Sequence, residues 1–220
     1  MKYRSVFDII GPVMVGPSSS HTAGAARIGL MAGKLFGRAP RLAHITFYGS
    51  FADTYRGHGT DVAIVGGIMG FDTFDLRIPQ ALDIAKERGI EVVFETSDAL
   101  TDHPNTARVH LEDEEGTFEI VGISIGGGTI EITELNGFPL KLSGGGPALV
   151  VLHHDRFGAI AAVTGILARY ELNIGHMEVS RHEKGKQALM AIEIDEHLSK
   201  DVLAEIERLP QIERVAIFGE

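Results

Sequence analysis

The sequence of 220 residues contains no cysteine and no tryptophan. Without cysteine the chain can form no disulfide, offers no thiol nucleophile and cannot hold zinc or an iron–sulfur cluster through thiolates. Positive charge is also short: 20 lysines and arginines stand against 30 carboxylates, a formal charge of −10, and the basic residues are scattered. That pattern gives no electrostatic footprint for nucleic acid. No apolar run reaches the length that spans a bilayer, so no membrane partner is expected. Met1 to Asp8 lacks the extended apolar region of a secretory signal, and a cytoplasmic location is the expectation. What is present, 44% hydrophobic and 23% charged residues, suits a globular chain of one large domain or two ordinary ones with a real core.

One stretch carries the densest chemistry: Gly16-Pro17-Ser18-Ser19-Ser20-His21-Thr22-Ala23-Gly24, running into Ala25-Ala26-Arg27-Ile28-Gly29-Leu30. Three serines, a histidine and a threonine cannot form a core strand, and the alanine-rich apolar pattern behind them is helical. Their oxygens suit a helix N-cap. The unpaired amides and positive dipole end of such a start also favour a carboxylate or phosphate. On physics alone this stretch reads equally as an over-supplied cap with a surface histidine, or as a small-anion site with a titratable group.

The chain before it, Ser5 to Val15, is a short apolar lead-in. The helix is predicted from about Ser20 to Leu35, with Gly37 and Pro40 as stop signals. Gly24, Gly29 and Gly33 are costly inside a helix and predict close backbone packing against a neighbour. Leu42–Tyr48 reads as a strand ended by Gly49-Ser50. Gly57-His58-Gly59-Thr60-Asp61 places a second histidine at a second helix start, with Asp61 as a cap or as an orienting group for the imidazole. Ile78–Arg88 is predicted helical with Gly89 behind it, Ile90–Glu95 a strand, and Thr101–Thr106 a polar loop with His103. From Ala107 to Leu142 the alternation is that of antiparallel strands, with His110 facing out and a hairpin signal at Asn136-Gly137. Gly126-Gly127-Gly128 is followed by neither Lys-Ser/Thr nor a helix, so it reads as a bulged turn, not a phosphate loop.

Ser143-Gly144-Gly145-Gly146-Pro147 reads as a linker between residues 1–142 and 148–220. Beyond it come Ala148–His153 strand, Gly158–Tyr170 helix, Ile174–Arg181 and Gln187–Ile194 strands, Ser199–Leu209 helix and Glu213–Phe218 strand. That order is βαββαβ, the ferredoxin-like arrangement. The fold class expected for the whole chain is α+β.

Two resemblances follow from these residues. The second part, through Asp155-Arg156-Phe157-Gly158, Leu167-Ala168 and Leu172-Asn173-Ile174, resembles an ACT domain, a small module that commonly binds amino acids; Phe157 stands where many members carry proline. The resemblance implies regulatory roles for Asp155, Gly158 and Asn173, and pairing of two copies through this domain. The first part resembles the β subunit of bacterial iron–sulfur-dependent L-serine dehydratases, through the Ser18–Thr22 stretch, Gly57–Asp61 and His103-Pro104-Asn105-Thr106. Three motifs in one order, with the ACT-like end, cover essentially the whole chain. The same α+β module is related to the allosteric substrate-binding domain of some D-3-phosphoglycerate dehydrogenases.

The dehydratase resemblance implies elimination of water from L-serine to give pyruvate and ammonia, with a 4Fe–4S cluster held by a separate cysteine-bearing α subunit and no metal ligand in this chain. It implies that Ser18, Ser19, Ser20 and Thr22 bind the substrate's charged groups, that His58 is the base, and that His21 orients substrate or shuttles a proton. His103 and Asn105 complete the pocket or meet the α subunit. Two other readings stay open: a serine-sensing regulatory module without chemistry, and a detached regulatory domain of another enzyme such as a dehydrogenase.

Overall fold

Helix α1 (Gly24–Phe36) follows directly on a five-residue π-helical turn, Ser19–Ala23, in the computed structural model, which describes residues 12–218. The lead-in read over Ser5–Val15 lies outside the described residues as far as Gly11. Gly37, left-handed at φ 76°, ends α1 by donating its amide to the Gly33 carbonyl, the stop expected there. Strand β1 (Leu42–Tyr48) has the bounds read for it, and its burial alternates, with Ala43, Ile45 and Phe47 buried on one face. Two helices come next: α2 (Gly49–Thr54), too short for a periodic signal and absent from the sequence reading, and α3 (Thr60–Ile68).

Helices α1 and α3 cross in backbone contact, as the glycines of α1 foretold. A β-carbon on Gly29 would lie 2.0 Å from the Ile64 carbonyl oxygen, and one on Gly33 would lie 2.4 Å from that of Ile68. Gly67 returns the approach from α3, where a β-carbon would stand 2.0 Å from the Ala26 carbonyl oxygen. Around this seam Ala25, Ile28, Ala32, Ala63 and Ile64 are fully buried. Burial of one such isoleucine contributes about 2 kcal/mol.

The segment read as one helix over Ile78–Arg88 divides into a 3₁₀ turn, Ile78–Gln80, and α4 (Ala81–Glu87), with Pro79 in the tighter turn. Strand β2 (Glu91–Ser97) runs parallel to β1, and β3 (Thr106–Asp113) lies antiparallel on its other side. The meander continues through β4 (Gly116–Gly126) and β5 (Thr129–Leu135), giving the order β2-β1-β3-β4-β5. Gly126, Gly127 and Gly128 all have positive φ in the β4–β5 turn, so this run is a turn. On the sheet's polar face His110 lies 3.5 Å from Glu119. Asn136 and Gly137, at φ 47° and 81°, have the paired left-handed conformation of a two-residue hairpin turn.

Packing divides the chain into two units at Gly137/Phe138. The second unit contains β6 (Phe138–Leu142), the irregular Ser143–Pro147 segment, and then β7 (Ala148–His154), α5 (Ala159–Arg169), β8 (Ile174–Arg181), β9 (Gln187–Ile194), α6 (Lys200–Glu207) and β10 (Ile212–Phe218). The order β10-β7-β9-β8 is ferredoxin-like. Leu149, Val151, Val163, Leu167, Met190, Ile192 and Ile206 form its core between sheet and helices. Ser199 caps α6, its hydroxyl accepting from the Val202 amide. The chain is α+β in both units, the class expected.

Candidate active site

Strand register explains why motifs far apart in sequence meet. Tyr48 at the end of β1 pairs with Thr106 at the start of β3, and Thr106 pairs with Ile123 near the end of β4. One edge of the sheet therefore collects Gly49-Ser50, the His103–Asn105 loop and Ser124. Gly49, at φ 50°, must be glycine: a β-carbon there would lie 2.7 Å from the Pro104 carbonyl oxygen. The Ser124 and Asn105 backbones are joined by a 3.0 Å hydrogen bond. Gly24 at the start of α1 packs on the Ser124 side chain so closely that a β-carbon would meet its hydroxyl at 2.0 Å. The polar cap of α1 is thus seated over the same edge.

Within the cap, Ser18 is the N-cap residue, and its hydroxyl accepts the His21 amide at 3.1 Å. The Ser18 carbonyl accepts the amides of both Thr22 and Ala23, which produces the wide π turn, a local irregularity often found where side chains act. His21 is held at both ring nitrogens: Nδ1 lies 2.9 Å from the Ser20 hydroxyl and Nε2 2.9 Å from that of Ser50. Phe51 packs edge-on against the same ring. Ser50 was read only as the end of a strand; the short α2 that aims it at His21 gives no sequence signal.

The His58 ring lies 4.8 Å from that of His21, centroid to centroid. Its main-chain carbonyl accepts the Thr22 hydroxyl at 2.8 Å. Thr22, expected to bind substrate, is only 2% exposed; its hydroxyl instead ties the His58 loop to the cap. Neither ring nitrogen of His58 bonds another described residue, and Nδ1 is buried. The hydroxyl of Thr60, fully buried at the start of α3, and that of Ser124 are likewise unpartnered. Asp61 accepts from the Val62 amide at 2.9 Å and has no bond to the imidazole, so of its two readings it takes the helix-start role. His103 Nδ1 accepts the Asn105 amide at 3.1 Å, and the Asn105 side chain donates to the Ser124 carbonyl. These two residues shape the edge from the β3 side.

Burial first, then the neighbouring His58, pushes the His21 pKa below the ordinary 6.5, against an opposing hydrogen bond to the Ser50 backbone. Burial pushes His103 the same way. Both groups therefore bind fewer protons folded than unfolded just below pH 6.5, so stability is lost as pH falls from that value through the depressed folded pKa. The urea midpoint is expected to decline between pH 7 and pH 5.5. It should decline less in His21→Asn; an identical slope in that variant would remove His21 as a contributor.

In the second unit the structure separates the expected regulatory residues. Asp155 follows β7, where its carboxylate receives Arg181 at 2.7 Å and the Gly185 amide at 2.8 Å. Gly158, at φ 88°, is the N-cap of α5. Asn173 stands before β8, bonded to Asp195 and Glu196. Because β7 and β8 both run antiparallel to β9, Asn173 lies at the opposite end of the sheet from Asp155 and Gly158. Within one copy of the chain they stand apart.

No helix of the described residues is long and apolar enough to cross a membrane. The chain has no cysteine, and no group of three or more His, Asp or Glu among the described residues is arranged to hold a metal. Its side chains thus do not fit an iron–sulfur cluster.

The family model "Serine dehydratase beta chain" matches residues 5–87, and that of the ACT domain matches residues 148–211. The chain is 60% identical to the probable L-serine dehydratase, beta chain, of Bacillus subtilis over 220 residues, the full length of both. It is 34% identical to the L-serine dehydratase, beta chain, of Peptoniphilus asaccharolyticus over 92% of each. A D-3-phosphoglycerate dehydrogenase of Bacillus subtilis is 31% identical over 61% of this chain and 26% of its own length. With full-length identity of this order, and with the cap, the His58 loop and the ACT unit all in place, the chain belongs to the serine dehydratase beta chain family.

Proposed function

We propose that this chain is the β subunit of an L-serine ammonia-lyase, converting L-serine to pyruvate and ammonia together with a cysteine-bearing α subunit. The observation that carries the reading is the contrast between two adjacent imidazoles. His21 has both nitrogens committed to serine hydroxyls, whereas Nδ1 of His58 is buried without a partner and its Nε2 bonds no other described residue. An imidazole with an unpartnered nitrogen is suited to take a proton. His58 removes the Cα proton of serine, and the β-hydroxyl leaves as water. The aminoacrylate so formed tautomerises to an imine, which water hydrolyses to pyruvate and ammonia.

Ser18, Ser19 and Ser20 supply hydroxyls at a helix start, where a carboxylate is favoured. Thr22 holds the His58 loop, and His103 with Asn105 closes the β3 side. The 4Fe–4S cluster of the proposed enzyme belongs to the α subunit, since this chain offers it no ligand set. The assembly acts in the cytoplasm, and its β subunits pair through the ACT unit.

The test is anaerobic production of this chain and the cysteine-bearing subunit, separately and together, with pyruvate formed from L-serine as the readout. Activity is expected only with both. Full activity from the partner alone would leave this chain a serine sensor. That second reading draws on the similarity to D-3-phosphoglycerate dehydrogenases, of which this chain matches only a quarter of the length.

A further inference from the structure

The chain immediately before the cap is held as a strap. Pro12 packs on the β4–β5 turn, where a β-carbon on Gly128 would lie 2.8 Å from its Cγ. The Val13 carbonyl accepts the Thr73 hydroxyl at 2.8 Å, and the Val15 amide donates to the Thr73 carbonyl at 2.7 Å. These bonds leave the Val13 side chain 80% exposed, and just beyond Thr73 stand Phe74, 57% exposed, and Leu76, 81% exposed. Ile125, next to Ser124, is 43% exposed, and Leu100, in the loop that leads to His103, is fully so. Among the described residues the first unit has six exposed large hydrophobics, and only Val93, in the middle of β2, is not on one of these segments. Exposed apolar side chains are ordinary when scattered. Their collection around one site marks a surface that another molecule covers.

A hollow of about 360 Å³ opens on the same edge, between α2 and the loop after β2. Ser97 at the end of β2 pairs with Tyr48, so this loop and the start of α2 are neighbours by register. Asp53 and Asp98 line the hollow together with Leu100, and neither carboxylate pairs with a cation among the described residues. Such a hollow suits the charged end of a lysine or arginine, with its apolar stem laid on Leu100. What the chain lacks narrows the occupant. It has no cysteine to hold a cluster, so the chain that does hold it must close over the cap and the His58 loop from outside. A second copy brings no such ligands either, and would only cover the site.

We propose that the cysteine-bearing α subunit docks on this edge, its apolar surface seated on Val13, Phe74, Leu76, Leu100 and Ile125 and a basic side chain in the Asp53–Asp98 hollow. The inference rests on the reading of this chain as a β subunit and adds where the partner sits. The strap joins the contact to the site, because residues 12–15 run directly into the Gly16–Thr22 stretch.

The experiment measures association, not turnover, between the full-length chain and the cysteine-bearing subunit by anaerobic interferometry. Phe74→Ser combined with Leu76→Ser, and separately Leu100→Ser, should raise the Kd about tenfold or more, as loss of interface anchors does. Val93→Ser should leave it unchanged. Asp53→Asn combined with Asp98→Asn should weaken binding at low salt and flatten its salt dependence. All these side chains are exposed, and an unchanged circular dichroism spectrum separates lost contact from lost fold. Hydrogen exchange should show residues 12–15, 72–76 and 98–104 protected in the complex. An unchanged Kd in the apolar or the aspartate variants, a loss that Val93→Ser shares, or protection confined to other segments overturns the proposal. Self-association of the chain alone that Leu100→Ser abolishes gives the edge to a second copy and overturns it equally. Binding through these residues without pyruvate formation would retire the dehydratase reading and leave the docking surface standing, whereas no binding at all would retire both.

Discussion

His58→Asn is expected to lower kcat for pyruvate formation by the assembled complex about 10²- to 10⁴-fold, the range for loss of a general base. Asparagine keeps the polarity and approximate size of the ring but cannot take a proton. The loop itself should persist, because its anchor is the His58 main-chain carbonyl, which accepts the Thr22 hydroxyl at 2.8 Å whatever the side chain. Gly59, left-handed at φ 65°, completes the turn into α3 from the backbone alone. An unchanged circular dichroism spectrum and urea midpoint would confirm that the loss is chemical.

The split between kcat and KM separates the readings of this site. A base acts on the transition state, so its removal lowers kcat and kcat/KM together. A sensor residue would instead shift the concentration dependence on serine and leave the maximal rate near wild type. Near-wild-type kcat in His58→Asn would therefore retire the base and favour the regulatory module. The buried, unpartnered Nδ1 is what makes the larger effect the expected one. A buried polar atom without a partner costs free energy in the empty protein, and such atoms are retained where a ligand or a proton completes them.

Gly67→Ala is expected to destabilise the first unit by about 3 kcal/mol, the upper end of core overpacking. The added methyl would lie 2.0 Å from the Ala26 carbonyl oxygen and 2.6 Å from the Leu30 nitrogen. Both are main-chain atoms of α1, so no rotamer change relieves the clash and the two helices must part. Parting them opens the seam around Ile28 and Ile64, both fully buried. At about 2–4 °C per kcal/mol for a chain of this size, the apparent Tm should fall by about 6–12 °C.

Gly165→Ala is the control. Gly165 lies inside α5 with nothing within 4 Å of the added methyl, so ordinary helix propensity should apply and stability should rise by about 0.5–1 kcal/mol. If both variants behaved alike in thermal unfolding, close helix packing would not be the reason for glycine at position 67. The difference also bears on the site. Helix α1 carries the Ser18–Thr22 cap at its start and α3 begins two residues after His58, so the seam sets the spacing of the two imidazoles.

Local chemistry alone determined much of this protein. Residues that favour the pleated surface located β1, alternation located the β3–β5 meander, and Gly37 marked the end of α1. The βαββαβ order was legible in the second unit because each of its elements has a strong pattern and its own stop signal. The polar run from Ser18 to Thr22 was legible as a cap with chemistry to offer, and His58 as a histidine at a helix start.

What needed the tertiary structure was everything that depends on direction and pairing. No local pattern reports that Thr22 faces inward to the His58 carbonyl, that α2 exists, or that its Ser50 reaches a ring 29 residues earlier in the chain. The register that brings Tyr48, Thr106 and Ile123 to one edge follows from strand pairing across long loops, which propensity does not encode. Asn173 belongs to the same family resemblance as the Asp155 turn, yet the parallel courses of β7 and β8 put it at the other end of the sheet. Residue types state which hydrogen bonds a chain can make. Only the fold decides which of them are made: both ring nitrogens of His21 are bonded, and Nδ1 of the neighbouring His58 is buried without a partner.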